Sequence, residues 1–235
     1  MISEEQKIYK YLNIGEYIPK YRIDKMNIVT KEYAIDSVFI KKPWKRLTFN
    51  EICKLSGKKS SSYVYRALHR LQKERIIESE RVGKSILYNL NWNSLNTQIY
   101  IGFLEEYNAW SSKHVPLEII SKLSNLAMKI TPFFVLLVTG SYAKKKQTPR
   151  SDLDVVIICD NSVDPRSITA ELNMESQLSM PPVHLFTFTR KQFTEMLLND
   201  EENYGKEFAR HHLIFVGGTA YYSMLKETIT HGFKG

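Results

Sequence analysis

Two aspartates one residue apart, Asp152 and Asp154, follow a Gly140-Ser141 pair after ten intervening residues, and the whole unit lies between two apolar runs, 133–138 and 155–159. In an extended segment, residues two apart project to the same face, so both carboxylates converge while Leu153 turns to the other side. A glycine at the end of a strand lets backbone N–H groups approach phosphate oxygens, and the serine hydroxyl adds a donor. Two carboxylates on one rigid face beside such a turn can hold a divalent cation, Mg2+ or Mn2+, against phosphates. Lys144, Lys145, Lys146 and Arg150 fall between Ser141 and Asp152, where they would meet a triphosphate or a nucleic-acid acceptor; a solvated loop is the alternative.

That chemistry requires strands on either side of the turn. Residues 133–138 have strand length and are apolar throughout, as a buried strand demands. Residues 183–188, after Pro181-Pro182, give another strand, and 213–216 a further one. Helices are expected over 117–130, 165–178, 190–198, 204–212 and 219–228, which makes the back half an α/β domain on a mixed sheet.

Gly140, Ser141, Asp152 and Asp154, at this spacing, resemble the polymerase-β-like nucleotidyltransferase superfamily, particularly its small, minimal members. Ala143 and Ser151 agree with frequent accessory positions. The resemblance covers about 117–226 and implies Mg-dependent transfer of a nucleoside monophosphate from an NTP, with ATP the expected substrate, to a hydroxyl or phosphate. By that resemblance Asp152 and Asp154 ligate metal, and Gly140, Ser141, Lys144 and Lys145 bind nucleotide phosphates. Two departures stand out. Lys145 replaces a frequent glycine. Active members also supply a third carboxylate from a neighbouring strand, yet no Asp or Glu occurs between Glu175 and Glu195. His184 takes the place expected for that acid, either as a third catalytic residue or as a packed strand residue.

The front half reads differently. Thr48 and Glu51 form a capping box for a helix from Phe49 to about Leu55, ended by Ser56-Gly57. Ser60-Ser61-Ser62 then opens a helix from about Tyr63 to Ile76, with Val64, Ala67, Leu68 and Leu71 on one stripe. Two alternating segments joined at Val82-Gly83-Lys84 make a hairpin. Residues 33–92 resemble the winged helix-turn-helix domains of archaeal and bacterial regulators. That resemblance places Ser61, Tyr63, Arg66, Arg70 and Lys73 toward duplex DNA, with Arg81 and Lys84 on its backbone. A protein-docking module is the alternative.

Charge supports the division. The chain carries a net +8, and residues 1–110 hold 19 Lys+Arg against 12 Asp+Glu, whereas the remainder holds 14 against 13. Residues 45–85 alone hold 11 against 4, so the excess sits on the helix-turn-helix unit and suits a polyanion. The expected layout is an α+β two-domain chain: an unassigned extension at 1–32, the winged helix at 33–92, a connecting helix and linker at 93–116, and the transferase-like domain at 117–235. In the connecting helix Leu95, Ile99, Phe103 and Tyr107 recur every fourth residue and mark the expected buried stripe. No apolar run is long enough for a membrane span. The two cysteines, Cys53 and Cys159, are read as reduced thiols, which with the absence of a secretory signal fits the cytoplasm. Three functions remain open: a transferase tethered to DNA, a DNA-binding regulator whose transferase fold is catalytically impaired, and an antitoxin-type partner of a toxin protein. Homodimerisation is open as well.

Overall fold

A computed structural model of the chain describes residues 33–235; the extension at 1–32 lies outside the described residues. The described chain begins with α1 (Tyr33–Lys41), a short strand β1 (Leu47–Thr48), α2 (Phe49–Ser56) and α3 (Ser61–Lys73). The hairpin strands β2 (Ile77–Val82) and β3 (Ser85–Leu90) follow, and β1 joins them in an antiparallel sheet of order β1-β3-β2. The Thr48–Glu51 capping box forms as expected, and Gly57 closes α2 in the left-handed conformation at φ 66°. Helix α3 starts from the Ser60 cap but ends at Lys73, three residues earlier than its apolar pattern suggests. Arg75 turns left-handed there, at φ 58°, and the Ile76 N–H donates to the Leu71 carbonyl at 2.8 Å. No glycine marks that stop in the sequence, so pattern alone runs past it.

Helix α4 (Leu95–Trp110) and α5 (Leu117–Ile130) lead into the second sheet. That sheet is built from β4 (Phe134–Val138), β5 (Leu153–Cys159), β6 (Val183–Thr189) and β7 (Leu213–Val216), in the order β6-β5-β4-β7. Strand β4 runs antiparallel to both β5 and β7, while β5 and β6 are parallel, so the sheet is mixed. The one-turn helix α6 (Gly140–Ala143) follows β4, and α7 (Pro165–Leu178) makes the crossover from β5 to β6. Helices α8 (Arg190–Leu198), α9 (Tyr204–Arg210) and α10 (Gly218–Thr230) complete the chain. One sheet face, carrying Leu136, Leu153, Val155 and Ile157, packs with residues of α5 and α7. The opposite face, carrying Val135, Leu137, Val156 and Ile158, packs with residues of α4, α8, α9 and α10.

The second of these cores does not stop at the transferase-like half. It runs without a break from Ile35, Phe39, Leu68 and Leu90 through Ile101 and Leu104 to Tyr222 and Phe233. Helix α4 is the bridge, and its buried face is not the expected one. Leu95, Ile99 and Phe103 are 64%, 50% and 42% exposed, while Ile101, Gly102, Leu104, Glu105 and Ala109 are buried. The helix is apolar on both sides, so periodicity alone could not choose between them. Gly102 makes the choice: a Cβ there would stand 2.5 Å from the Thr219 nitrogen, so only a glycine admits this close crossing with α10. The Glu106 carboxylate then accepts the Gly218 N–H at 2.5 Å at the start of α10, a favourable place for negative charge.

The face that α4 buries also carries Glu105 into the core, beside His212 at 3.7 Å. Burial raises the Glu105 carboxyl to about 8 and lowers the His212 imidazole to about 4, so both are neutral near pH 7. A carboxyl with a folded pKa above its unfolded one loses its proton on unfolding, so stability falls as pH rises from 4.5 toward 8. His212 acts in the opposite sense between about 4 and its ordinary 6.5, so the net fall shows above 6.5. We expect the melting temperature to drop between pH 6.5 and 8, and Glu105→Gln to flatten that drop. An equal drop in the variant would show that other groups cause it. Cys53 and Cys159 are both free thiols, and no described helix is long and apolar enough to cross a membrane.

Candidate active site

The site forms where β4 and β5 end against the α6 turn. Thr139 leaves β4 with its N–H donating to the Asp154 carbonyl at 2.9 Å and its hydroxyl donating to the His211 carbonyl at 2.8 Å. The next residue, Gly140, takes φ 65°, a left-handed conformation that glycine adopts without strain. Its missing side chain has a second use. A Cβ on Gly140 would fall 2.0 Å from Asp154 Oδ2, so the carboxylate occupies the space a side chain would need. The turn and the second aspartate are thus in direct contact.

Asp152 arrives by a different route. The Thr148 N–H donates to the Ser151 hydroxyl at 2.9 Å, and the Ser151 N–H returns to the Thr148 carbonyl at 3.0 Å, a tight turn just ahead of Asp152. The Leu153 N–H then bonds the Pro182 carbonyl at 2.8 Å and starts the pairing with β6. Leu153 is fully buried, Asp154 half-buried and Asp152 exposed. Asp154 is held above the ordinary carboxylate range, chiefly by burial, with His184 pulling it down and the Asp152 charge pushing it up. The two aspartates are therefore close enough to repel, and a divalent cation between them would relieve both the repulsion and the desolvation.

His184 stands beside Asp154 in register across the parallel β5–β6 pair. Its Nδ1 lies 3.4 Å from Asp154 Oδ1, and its side chain is 62% exposed. Among the described residues no three His, Cys, Asp or Glu side chains cluster as a metal-binding group. A hard divalent cation at this place would have at most two carboxylates with an imidazole alongside, and water and phosphate oxygens would have to complete its shell.

The basic residues divide. Lys144 is held by an ion pair with Glu207 of α9, so its charge is already answered. Lys145 takes a left-handed φ of 55° in the loop after α6, and Lys145 and Lys146 are exposed. Ser141 is half-buried. Glu207 and the aromatic residues of α9 were not anticipated; they lie more than fifty residues downstream of the turn, and only the tertiary fold brings Glu207 to Lys144.

On the front half, Ser61, Arg66 and Lys73 are exposed on α3, and Arg81 and Lys84 are exposed on the hairpin. Tyr63 is half-buried, with the Lys58 ammonium 5.7 Å from its ring centre. Arg70 turns inward, 3.6 Å from the buried Asp36, whose other oxygen accepts the Tyr100 hydroxyl at 2.8 Å. Tyr65 and His69 also lie exposed on α3, and the spacing of buried Val64, Ala67, Leu68 and Leu71 could have placed them there.

With this geometry in view, residues 134–215 match the family model for the nucleotidyltransferase domain. The match begins in β4, ends in β7 and contains Gly140, Ser141, Asp152, Asp154 and His184. A nucleotidyltransferase domain is therefore present in this chain, and such domains generally use Mg2+ and nucleoside triphosphates. No curated protein and no solved structure matches the chain.

Proposed function

We propose that the chain transfers a nucleoside monophosphate from a nucleoside triphosphate, with ATP the expected donor, to an acceptor hydroxyl or phosphate, and that its front half is a winged helix that holds duplex DNA. The contact between the Asp154 carboxylate and the Cα of Gly140 carries the first part, because it joins the metal-binding acid to the phosphate-binding turn. Gly140 and Ser141 orient the phosphates, with the Ser141 hydroxyl as a donor. Asp152 and Asp154 would hold a single Mg2+ or Mn2+, which when bound neutralises charge on the phosphoryl oxygens. The acceptor oxygen bonds to the α-phosphorus, the bond from that phosphorus to the α–β bridging oxygen breaks, and pyrophosphate leaves. His184, exposed beside Asp154, takes the acceptor's proton on its ring nitrogen. The test is label transfer from α-labelled ATP with Mg2+ or Mn2+, compared with the Asp152→Asn/Asp154→Asn double variant. Persistent labelling by that variant ends the assignment.

His184 also favours a second function. An imidazole in place of a carboxylate brings no negative charge for a second cation, which suits a domain that binds nucleotide without transferring it. Wild-type protein that binds ATP with Mg2+ yet labels nothing would select this alternative.

The DNA assignment rests on the exposed Ser61, Tyr65, Arg66, His69 and Lys73 of α3 and the basic hairpin tip. Arg70, engaged with Asp36, orients α3 instead. Each phosphate contact adds about 0.9 to the slope of log affinity against log salt concentration on duplex DNA. Arg66→Ala with Lys84→Ala is expected to weaken binding across sequences and lower that slope by about 1 to 2. An unchanged slope would instead mark the front half as a protein-docking module.

A further inference from the structure

Beside the metal-binding acids lies a feature that the transfer chemistry leaves unused. From Asp154, the His184 ring leads to Phe186 two residues along β6, with ring centres 4.3 Å apart. Phe186 meets Tyr204 of α9 at 5.9 Å, and Tyr204 stacks on Phe208 at 6.0 Å with an interplanar angle of 24°. Tyr204 closes this series with 68% of its surface exposed.

The ring is held firmly from behind. Phe208 is buried and contacts both Phe186 and Phe188. On one side of Tyr204, Asn203 donates to the Met196 carbonyl at 2.8 Å; on the other, Gly205 lies so close to Met196 that a Cβ would stand 2.7 Å from it. The backbone on each side of Tyr204 is thereby fixed against α8. A single exposed aromatic residue is ordinary on a protein surface. A rigidly backed one, reached from Asp154 through two further rings, is a preformed stacking surface next to a phosphate-binding turn.

We infer that the exposed face of Tyr204, backed by Phe186 and Phe208, stacks the nucleobase of the donor nucleotide whose phosphates lie at Gly140, Ser141 and the two aspartates. A flat ring recognises the π-face that every base possesses, so the surface is expected to tolerate different bases. Residues two apart on β6 span about 6.6 Å, so Phe186 stands about a ribose away from the phosphate end of the site. The assignment rests on the nucleotide site proposed above, and the same stacking chemistry could also serve a base of a nucleic-acid acceptor.

Inorganic tripolyphosphate separates the two ends of the nucleotide. Its affinity and that of ATP would be measured by calorimetry with Mg2+ on wild-type protein and on Tyr204→Ala, Tyr204→Phe and Tyr204→Trp. We expect ATP to bind about tenfold more tightly than tripolyphosphate. Tyr204→Ala should erase that advantage and leave tripolyphosphate affinity unchanged, which also establishes that the variant is folded; the Phe and Trp variants should keep it. Tripolyphosphate binding with no added gain for ATP, or a gain that survives in Tyr204→Ala, overturns the stacking surface and leaves the phosphate site standing. Failure of wild-type protein to bind either ligand overturns both. A single-stranded oligodeoxynucleotide without a triphosphate forms the third arm: if Tyr204→Ala weakens its binding alone, the donor assignment falls and the base belongs to the acceptor.

Discussion

Asp154→Asn should lower label transfer from α-labelled ATP by at least about 100-fold, the loss typical when a single preorganised electrostatic group is removed from an active site. The substitution keeps the shape of the side chain and removes its charge. Asp154 is the more demanding of the two aspartates because it is half-buried, pressed against Gly140 and paired with His184. Its carboxylate is held above the ordinary range chiefly by burial. In the absence of metal and nucleotide, then, a neutral amide should leave stability unchanged or raise it slightly, since the buried charge is gone. The diagnostic result is this divergence: activity collapses while the melting temperature holds. Parallel losses of both would mean that Asp154 serves the fold and not the chemistry.

Gly140→Ala is expected to have the second largest effect, and it separates two consequences of one methyl group. The left-handed φ of 65° costs a non-glycine residue about 1–3 kcal/mol wherever it occurs. For a chain of this size that is a fall in melting temperature of roughly 2–12 °C. The clash with Asp154 Oδ2 at 2.0 Å has a different outcome, because a carboxylate at the end of a side chain can swing away. It would do so at modest energetic cost and leave its working position. Activity should therefore fall far more than stability does. A cycle with Asp154→Ala tests this: the clash disappears in the double variant, so the stability losses should be less than additive while transfer stays absent. Full additivity would show that the two residues do not touch.

The same pair explains how much of the site was legible beforehand. Gly140, Ser141, Asp152 and Asp154 lie close in sequence, and strand periodicity suffices to predict that the two acids share a face. His184 was a candidate because the strand where the resemblance expects a third acid carries none; its place in register with Asp154 came only with the fold. What escaped were contacts made over long separations. The Lys144–Glu207 pair spans more than sixty residues, and the inward turn of Arg70 depends on Asp36, buried beneath it on α1. Helix α4 shows the limit most plainly. That it is a helix was readable, yet its orientation was not, because two apolar faces compete and only the Gly102–Gly218 crossing decides between them. Helix ends without glycine, such as that of α3 at Arg75, were equally hidden.

Among the described residues, the core that α4 threads between the front sheet and the transferase sheet is continuous, so swinging the halves apart would break packed contacts. A disturbance at α1 or α3 meets packed side chains all the way to α10, whose first turn is fastened to α4 through Glu106. A load placed on the front half should therefore reach the transferase-like half through packed side chains, and heat should melt the two halves in one transition.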